Sequence, residues 1–396
     1  MADLLSIDEA LERILARTRP LESEQVPLDA AVGRFLAEPA LAAVDLPPFP
    51  SSAMDGFALR AEDAPATLPV VERVAAGHPA TRSLRRGEAA AIATGGVVPE
   101  GADAVVPVEY VVFLDNEVEI SGRVAVGANV RPRGGDVCAG AVVVAAGARL
   151  GPAQIGALAA AGVAAVTGAR RPRAALLTTG TELRRPGEPL SPGQIYESNG
   201  PMLEAQLRSA GAEVERLAPV EDDPRAHRDA LARALEADLV VTSGGVSVGP
   251  HDLVRRVEAE LGVEEVFWRV AVKPGKPISF GVRGRTLVFG LPGNPVSSLV
   301  GFELFVRPAV AALQGAVDPG PRFEVGRLAA ALRRNAARDE LVRARRRTGA
   351  DGTTLEPSSG QESHMIVRAA AADALVLVPR GDGELAADAS VRYVPL

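Results

Sequence analysis

Between residues 172 and 314 the chain repeats one rhythm: a short apolar run, a glycine-bearing loop, then a helical pattern. Ala174–Thr178 leads into Thr179-Gly-Thr-Glu. Leu239–Thr242 leads into Ser243-Gly-Gly-Val-Ser-Val-Gly, and Thr286–Phe289 into Gly290-Leu-Pro-Gly-Asn-Pro. Helical patterns cover Ser198–Ala210, Pro224–Glu236 and a long stretch to about Leu313, with a further strand at Glu213–Leu217. Alternation of this kind predicts a mostly parallel sheet with helices on both faces. Ligands of such sheets sit beyond the carboxyl ends of the strands, where all three glycine loops fall. Pro308, inside the last helical pattern, predicts a kink or an early end.

The flanking regions read differently. Apolar residues at 4, 7, 11, 14 and 15, with Ser6 and Glu9 at capping-box spacing, predict an amphipathic helix over Leu4–Ala16. Val26–Glu38 reads as a short strand or turn leading into a helix. Three prolines within Pro47–Pro50 forbid helix and predict a constrained loop running into a strand. From 57 to about 150, valine-rich runs such as Ala104–Val108, Tyr110–Leu114 and Ala141–Ala145 alternate with Gly, Pro and Asp, a β-rich pattern. Residues 151–165 return to a helical pattern. A linker at 315–322 precedes a small terminal β-domain with runs at Leu341–Arg345, Leu375–Val378 and Val391–Val394.

Length and charge set limits. At 396 residues the chain suits two to four domains. Its formal charge is −7, without a long basic tract, which argues against nucleic acid. No uninterrupted apolar run reaches about 18 residues, so no membrane partner is expected. The first residues lack a basic n-region, and the reading is a cytoplasmic protein. A single cysteine, Cys138, excludes an intrachain disulfide and a CxxC site. With no His close in sequence, Cys138 is expected to be a small buried residue rather than a nucleophile.

Of 43 basic residues 41 are arginine; the two lysines, Lys273 and Lys276, share one motif, Lys-Pro-Gly-Lys-Pro. A compact ammonium differs from a planar guanidinium, and the pair is expected to bind an anion. Ser243, Gly244 and Gly245 offer backbone N–H groups for close approach to phosphate. Asp252 could cap the next helix or hold a metal beside phosphate. Glu182 carries the same ambiguity, and one of Asp222 and Asp223 should cap a helix. Gly290-Leu-Pro-Gly-Asn-Pro opens a helix whose N-terminus attracts anions. Asp55 and Thr94 lie on turns, and Arg131-Pro-Arg-Gly-Gly-Asp136 combines cations with an acid. Of the four histidines, only His364 lies near a functional loop. Walker-type and nicotinamide-binding glycine motifs are absent.

Together these strings resemble one family. Pro47-Pro-Phe-x-x-Ser-Ala-Met-Asp-Gly-Phe-Ala, Thr94-Gly, Thr179-Gly-Thr-Glu-Leu, Ser243-Gly-Gly-Val-Ser-Val-Gly-x-x-Asp252, Lys273-Pro-Gly-Lys-Pro and Gly290-Leu-Pro-Gly-Asn-Pro-Val-Ser occur in its order. The sequence is similar to the molybdopterin molybdenumtransferases, the MoeA proteins and the gephyrin E domain. The resemblance implies a mixed α/β and β multidomain chain acting as an elongated homodimer. A MogA-like doubly wound α/β domain would comprise 4–19 plus 168–316. A projecting β-rich domain would span 47–135, a connecting domain 20–46 plus 136–167, and a C-terminal β-barrel 319–396.

The implied reaction takes adenylylated molybdopterin and molybdate and yields molybdenum cofactor and AMP, with Mg²⁺, in a cleft between subunits. The implied functional residues are Asp55, Thr94, Asp136, Glu182, Asp222 and Asp252, with Glu182 and Asp252 toward the metal. Substrate and anion contacts would come from Ser243, Gly244, Gly245, Lys273, Lys276, Pro292, Pro295, Ser297, Arg338 and Ser363. Other cofactor-biosynthesis or molybdoenzyme-maturation proteins are implied partners. The sequence departs from the family pattern at Gly135, where Glu is expected, and at Pro250-His251, where an acid is common. A molybdopterin adenylyltransferase using ATP and a gephyrin-like scaffold are the competing readings.

Overall fold

The computed structural model describes residues 4–220, 223–245 and 253–396; Asp222 and Asp252 lie outside the described residues. The chain forms two compact units. One comprises residues 1–24, 33–37 and 168–396, the other 25–32 and 38–167.

In the first unit a six-stranded sheet runs in the order Glu213–Arg216, Arg173–Thr178, Leu239–Ser243, Thr286–Leu291, Ser279–Arg283, Glu264–Trp268. The first four strands are parallel and the last two antiparallel. The period-two rule explains its two covered faces. Ala174, Leu176, Val241 and Phe289 pack with the helices Ile7–Arg17, Asn199–Ser209 and the chain's longest helix. The alternate residues Ala175, Val240 and Val288 pack against Ala234 and Leu235, and Leu177 against Leu231 and Val254. The antiparallel pair at 264–268 and 279–283 escaped the sequence reading because no crossover helix separates its strands.

Two helix starts follow the local chemistry. Ser6 accepts from Glu9 N–H while the Glu9 carboxylate accepts from Ser6 N–H, the expected capping box. Asp223 caps Pro224–Ala234, accepting from the N–H groups of Arg225 and Ala226. The helix bearing Pro308 neither ends nor breaks. It runs as α-helix over Pro295–Gly301, widens to π-helix over Phe302–Val306, and resumes over Arg307–Leu313. Proline lacks the N–H that would bond the carbonyl four residues back, and the wider turn lies where that bond is lost. This helix, Pro295–Leu313, has the length and apolarity to cross a bilayer, but 78% of that stretch is buried inside the protein.

The C-terminal strands close into a barrel. Asp339–Gly349 pairs with Gly352–Pro357, which pairs with Glu324–Leu328, then Ser390–Pro395, then Ala374–Val378, which returns to Asp339–Gly349. Leu341, Leu375, Leu377 and Val394 of the barrel join the same core as the α/β sheet. Val272–Lys273 pairs in parallel with Asp339 and Glu340, tying the lysine motif to a barrel strand.

The second unit is β-rich, as expected. Its sheet runs Ala104–Pro107, Gly56–Leu59, Ala89–Ile92, Ala66–Val74, Glu117–Ile120, Val112–Leu114. Phe57, Leu59, Leu68 and Val118 fill one core; Ala58, Val74, Ala90 and Val105 fill another. Two expectations fail here and beside it. The helix expected within Val26–Glu38 is only a single 3₁₀ turn, Leu28–Ala30, capped by Ala31; the left-handed Gly33 that follows, at φ 80°, keeps the chain from resuming a helix. Cys138 is exposed rather than buried, on a turn where its thiol donates to the Gly134 carbonyl at 3.7 Å.

Candidate active site

A cavity of about 730 Å³ opens at the carboxyl ends of the parallel strands. Thr179, Gly180 and Glu182 line it from the first glycine loop, Ser243, Gly244 and Gly245 from the second, and Pro292–Pro295 from the third. Glu197, Ser198, Asn199, Pro277 and His364 complete much of the wall.

The glycine loops are held together closely. Thr179 N–H donates to Ser243 O, and Gly244 N–H to Leu291 O, so the Gly244 N–H expected for phosphate is instead spent on holding the second loop to the third. Gly244 has φ +97°, and a β-carbon there would lie 2.7 Å from Thr179 O, so only glycine allows this approach. Gly180 has φ +150°; a β-carbon would meet the Glu182 carboxylate at 2.6 Å. The carboxylate therefore lies back over its own loop. The buried Ser243 hydroxyl donates to Pro292 O at 3.2 Å and accepts from Asn199 Nδ2 at 2.8 Å. Asn199 Nδ2 also reaches Gly293 O at 2.7 Å, while its Oδ1 is buried without a hydrogen-bond partner. Such an acceptor on a cavity wall is a place for a ligand donor. Glu197 is buried, with one oxygen accepting from Gly200 N–H.

A second cluster lies where the lysine motif and the barrel meet. Lys273 Nζ pairs with Glu340 at 3.1 Å, and Asp339 N–H, next to Arg338, donates to Ala271 O. Arg338 itself is half-buried, its N–H donating to Asn335 Oδ1. Lys276 is exposed. Ser363 accepts from Val296 N–H at its carbonyl and from Asn294 Nδ2 at its hydroxyl. It is thereby fastened to the third glycine loop. Ser297 is buried in the first turn of the helix Pro295–Gly301 and does not line the cavity.

The N-terminal candidates gather in the other unit. Asp55 Oδ1 accepts from Thr94 N–H at 2.6 Å and Thr94 Oγ1 at 2.9 Å. These bonds, the backbone one foremost, hold its carboxyl below the ordinary value. Ser52 N–H donates to Gly96 O, and Arg131 pairs with Ser51, so the proline loop, the Thr94 turn and the Arg131–Asp136 segment form one assembly. Asp136 is exposed there, its N–H donating to Leu46 O. Arg133 is committed to Asp45 at 2.6 Å, which also accepts from Ala139 N–H. Asp45, Glu197, Asn199 and Glu340 were missed from sequence. Only the polar opening of the helix at Ser198-Asn199 offered a local signal.

Among the described residues no three His, Cys, Asp or Glu side chains gather to hold a metal by themselves. The cavity supplies the carboxylates of Glu182 and Glu197. This donor set fits Mg²⁺, which takes one or two carboxylates and completes its shell with water and phosphate oxygens.

Fold and cavity define a multidomain mixed α/β protein in which three glycine loops and one proline of the lysine motif, Pro277, line a single cavity. Comparison with known proteins agrees. The model of the MoeA N-terminal region (domain I and II) matches residues 5–162, a probable molybdopterin binding domain 175–312, and the MoeA C-terminal region (domain IV) 325–396. Molybdopterin molybdenumtransferase 2 of Mycobacterium tuberculosis is 40% identical over 329 residues, covering 79% of this chain and 81% of its own. The molybdopterin molybdenumtransferase of Staphylococcus epidermidis is 32% identical, covering 95% and 92%. A crystal structure of the molybdopterin biosynthesis moeA protein from Pyrococcus horikoshii OT3 superposes with a TM-score of 0.86 at 28% identity, covering 100% of both chains. The chain belongs to the molybdopterin molybdenumtransferase family, transferases of molybdenum cofactor biosynthesis.

Proposed function

We propose that the protein inserts molybdate into adenylylated molybdopterin, releasing AMP. The observation that carries this reading is the convergence of three glycine loops on one cavity, with the lysine motif and Ser363 fastened beside it. Both substrates are anionic. They can share a site only where N–H donors and cations offset their repulsion. The nucleotide suits the cavity where the glycine loops, lacking β-carbons, leave room for close approach, although the N–H groups of Thr179, Gly180 and Gly244 are spent within the fold. Molybdate, a compact oxyanion, suits Lys273, Lys276, Arg338 and Ser363. Release of AMP breaks the phosphoanhydride: a water oxygen bonds one phosphorus, and the bridging oxygen leaves with the other.

Mg²⁺ belongs to this reading: Glu182 and Asp252 would hold it, with Glu197 a further carboxylate on the cavity wall, and it would offset charge on the phosphates. Asp55, its carboxyl held below the ordinary value by the bonds from Thr94, can accept a hydrogen bond from substrate. A homodimer is the proposed assembly.

The test compares Asp252→Ala with the parent. Turnover should fall far more than melting temperature does. Loss of activity in proportion to lost stability would contradict a catalytic role. Consumption of ATP with free molybdopterin, in place of AMP release, would favour the adenylyltransferase reading.

A further inference from the structure

We propose that Arg343 is a positioning residue for the oxyanion site: it orients the 360–365 segment so that Ser363 can donate to the bound anion. This rests on the reading of Ser363 as an oxyanion contact. Arg343 lies on the barrel strand Asp339–Gly349 and is 1% exposed. Its Nη1 donates to Met365 O at 2.9 Å. Its Nη2 donates to Gly360 O at 2.7 Å and Glu362 O at 3.2 Å, and its Nε to Gln361 Oε1 at 3.3 Å. Gln361 Nε2 returns bonds to Arg343 O and Ser358 O. A buried cation thus gathers three carbonyls of one short segment, with its charge met by peptide dipoles.

Those carbonyls fix the opposite ends of their peptides. A trans peptide directs its N–H away from its C=O. Holding Glu362 O toward the guanidinium therefore turns Ser363 N–H away from it. The Ser363 hydroxyl and carbonyl are fixed by Asn294 and Val296. Ser363 is thus held from both sides, and the next residue, His364, lines the cavity. A lysine cannot reproduce the clamp, because one compact ammonium lacks the planar fork that spans these carbonyls.

The test is Arg343→Lys in the full-length protein, read by hydrogen exchange over 358–366 and by titration with molybdate. Exchange over that segment should quicken, and molybdate affinity should fall by about tenfold, the equivalent of one charge-assisted contact, with kcat changed much less than KM. Unchanged exchange, or quickened exchange with unchanged affinity, would overturn the proposal. Should Arg343→Lys fail to fold, Gln361→Ala cuts the same clamp from its other side and must show the same pair of effects. If the parent protein itself binds no molybdate, the insertion reading fails, a result distinct from a defect confined to the variants.

Discussion

At the scale of single residues, two lysines in an arginine-rich chain stand out because their chemistry is not interchangeable with that of their neighbours. Lys276→Ala should raise KM for molybdate by roughly 10–100-fold, the worth of a charge-assisted contact. Lys276→Arg should restore little of it, since a guanidinium neither fits nor hydrates as an ammonium does. Full recovery in the arginine variant, measured by steady-state kinetics, would contradict a specific role. Asp238 makes a separate prediction about acid stability. Burial raises its pKa, but bidentate bonds from Arg170 at 2.6 and 2.7 Å and the Arg173 N–H outweigh it, leaving the carboxyl below its ordinary 3.8. A depressed folded pKa stabilises above the unfolded value, and that contribution is lost as pH falls through the folded one. Asp238→Asn should therefore melt earlier at pH 7, and its deficit should shrink below about pH 4. A deficit constant with pH would contradict the ion pair's role.

At the scale of elements, the capping box at Ser6 ties sequence to stability. Ser6→Ala should cost about 1 kcal/mol in chemical denaturation, and no change would mean the first helix is held by packing of Ile7, Ala10 and Ile14 alone. Elements of this kind were legible because their signals are local. Three of the parallel strands were legible from apolar runs ended by glycine loops, and the cap of Pro224–Ala234 was legible as one of Asp222 and Asp223. What was not legible depends on partners distant in sequence. The strands at 264–268 and 279–283 pair antiparallel through a long connection, and Val272–Lys273 joins a barrel strand over 60 residues away. Likewise the cavity's glycine loops could be read from sequence, whereas Asn199, Glu197 and Glu340 acquire meaning only from what they touch. Arg343 was hidden among many arginines; what distinguishes it is its burial together with the three carbonyls it gathers. Cys138 was misread because composition says nothing about a turn that leaves its thiol exposed.

At the scale of the molecule, the candidate residues divide between two units. The glycine loops, lysine motif and Ser363 lie in one, and Asp55, Thr94 and Asp136 in the other. The proposed homodimer should sediment at twice 41.0 kDa, and a stable monomer that retains full turnover would contradict it. The central claim is that one site joins a nucleotide-bearing pterin to an oxyanion. It is tested most directly by AMP release from adenylylated molybdopterin, with molybdate and Mg²⁺ each supplied or withheld. The account predicts release, with active cofactor recovered, only when both are present. AMP released equally without molybdate, or none released while the nucleotide stays bound, would contradict it.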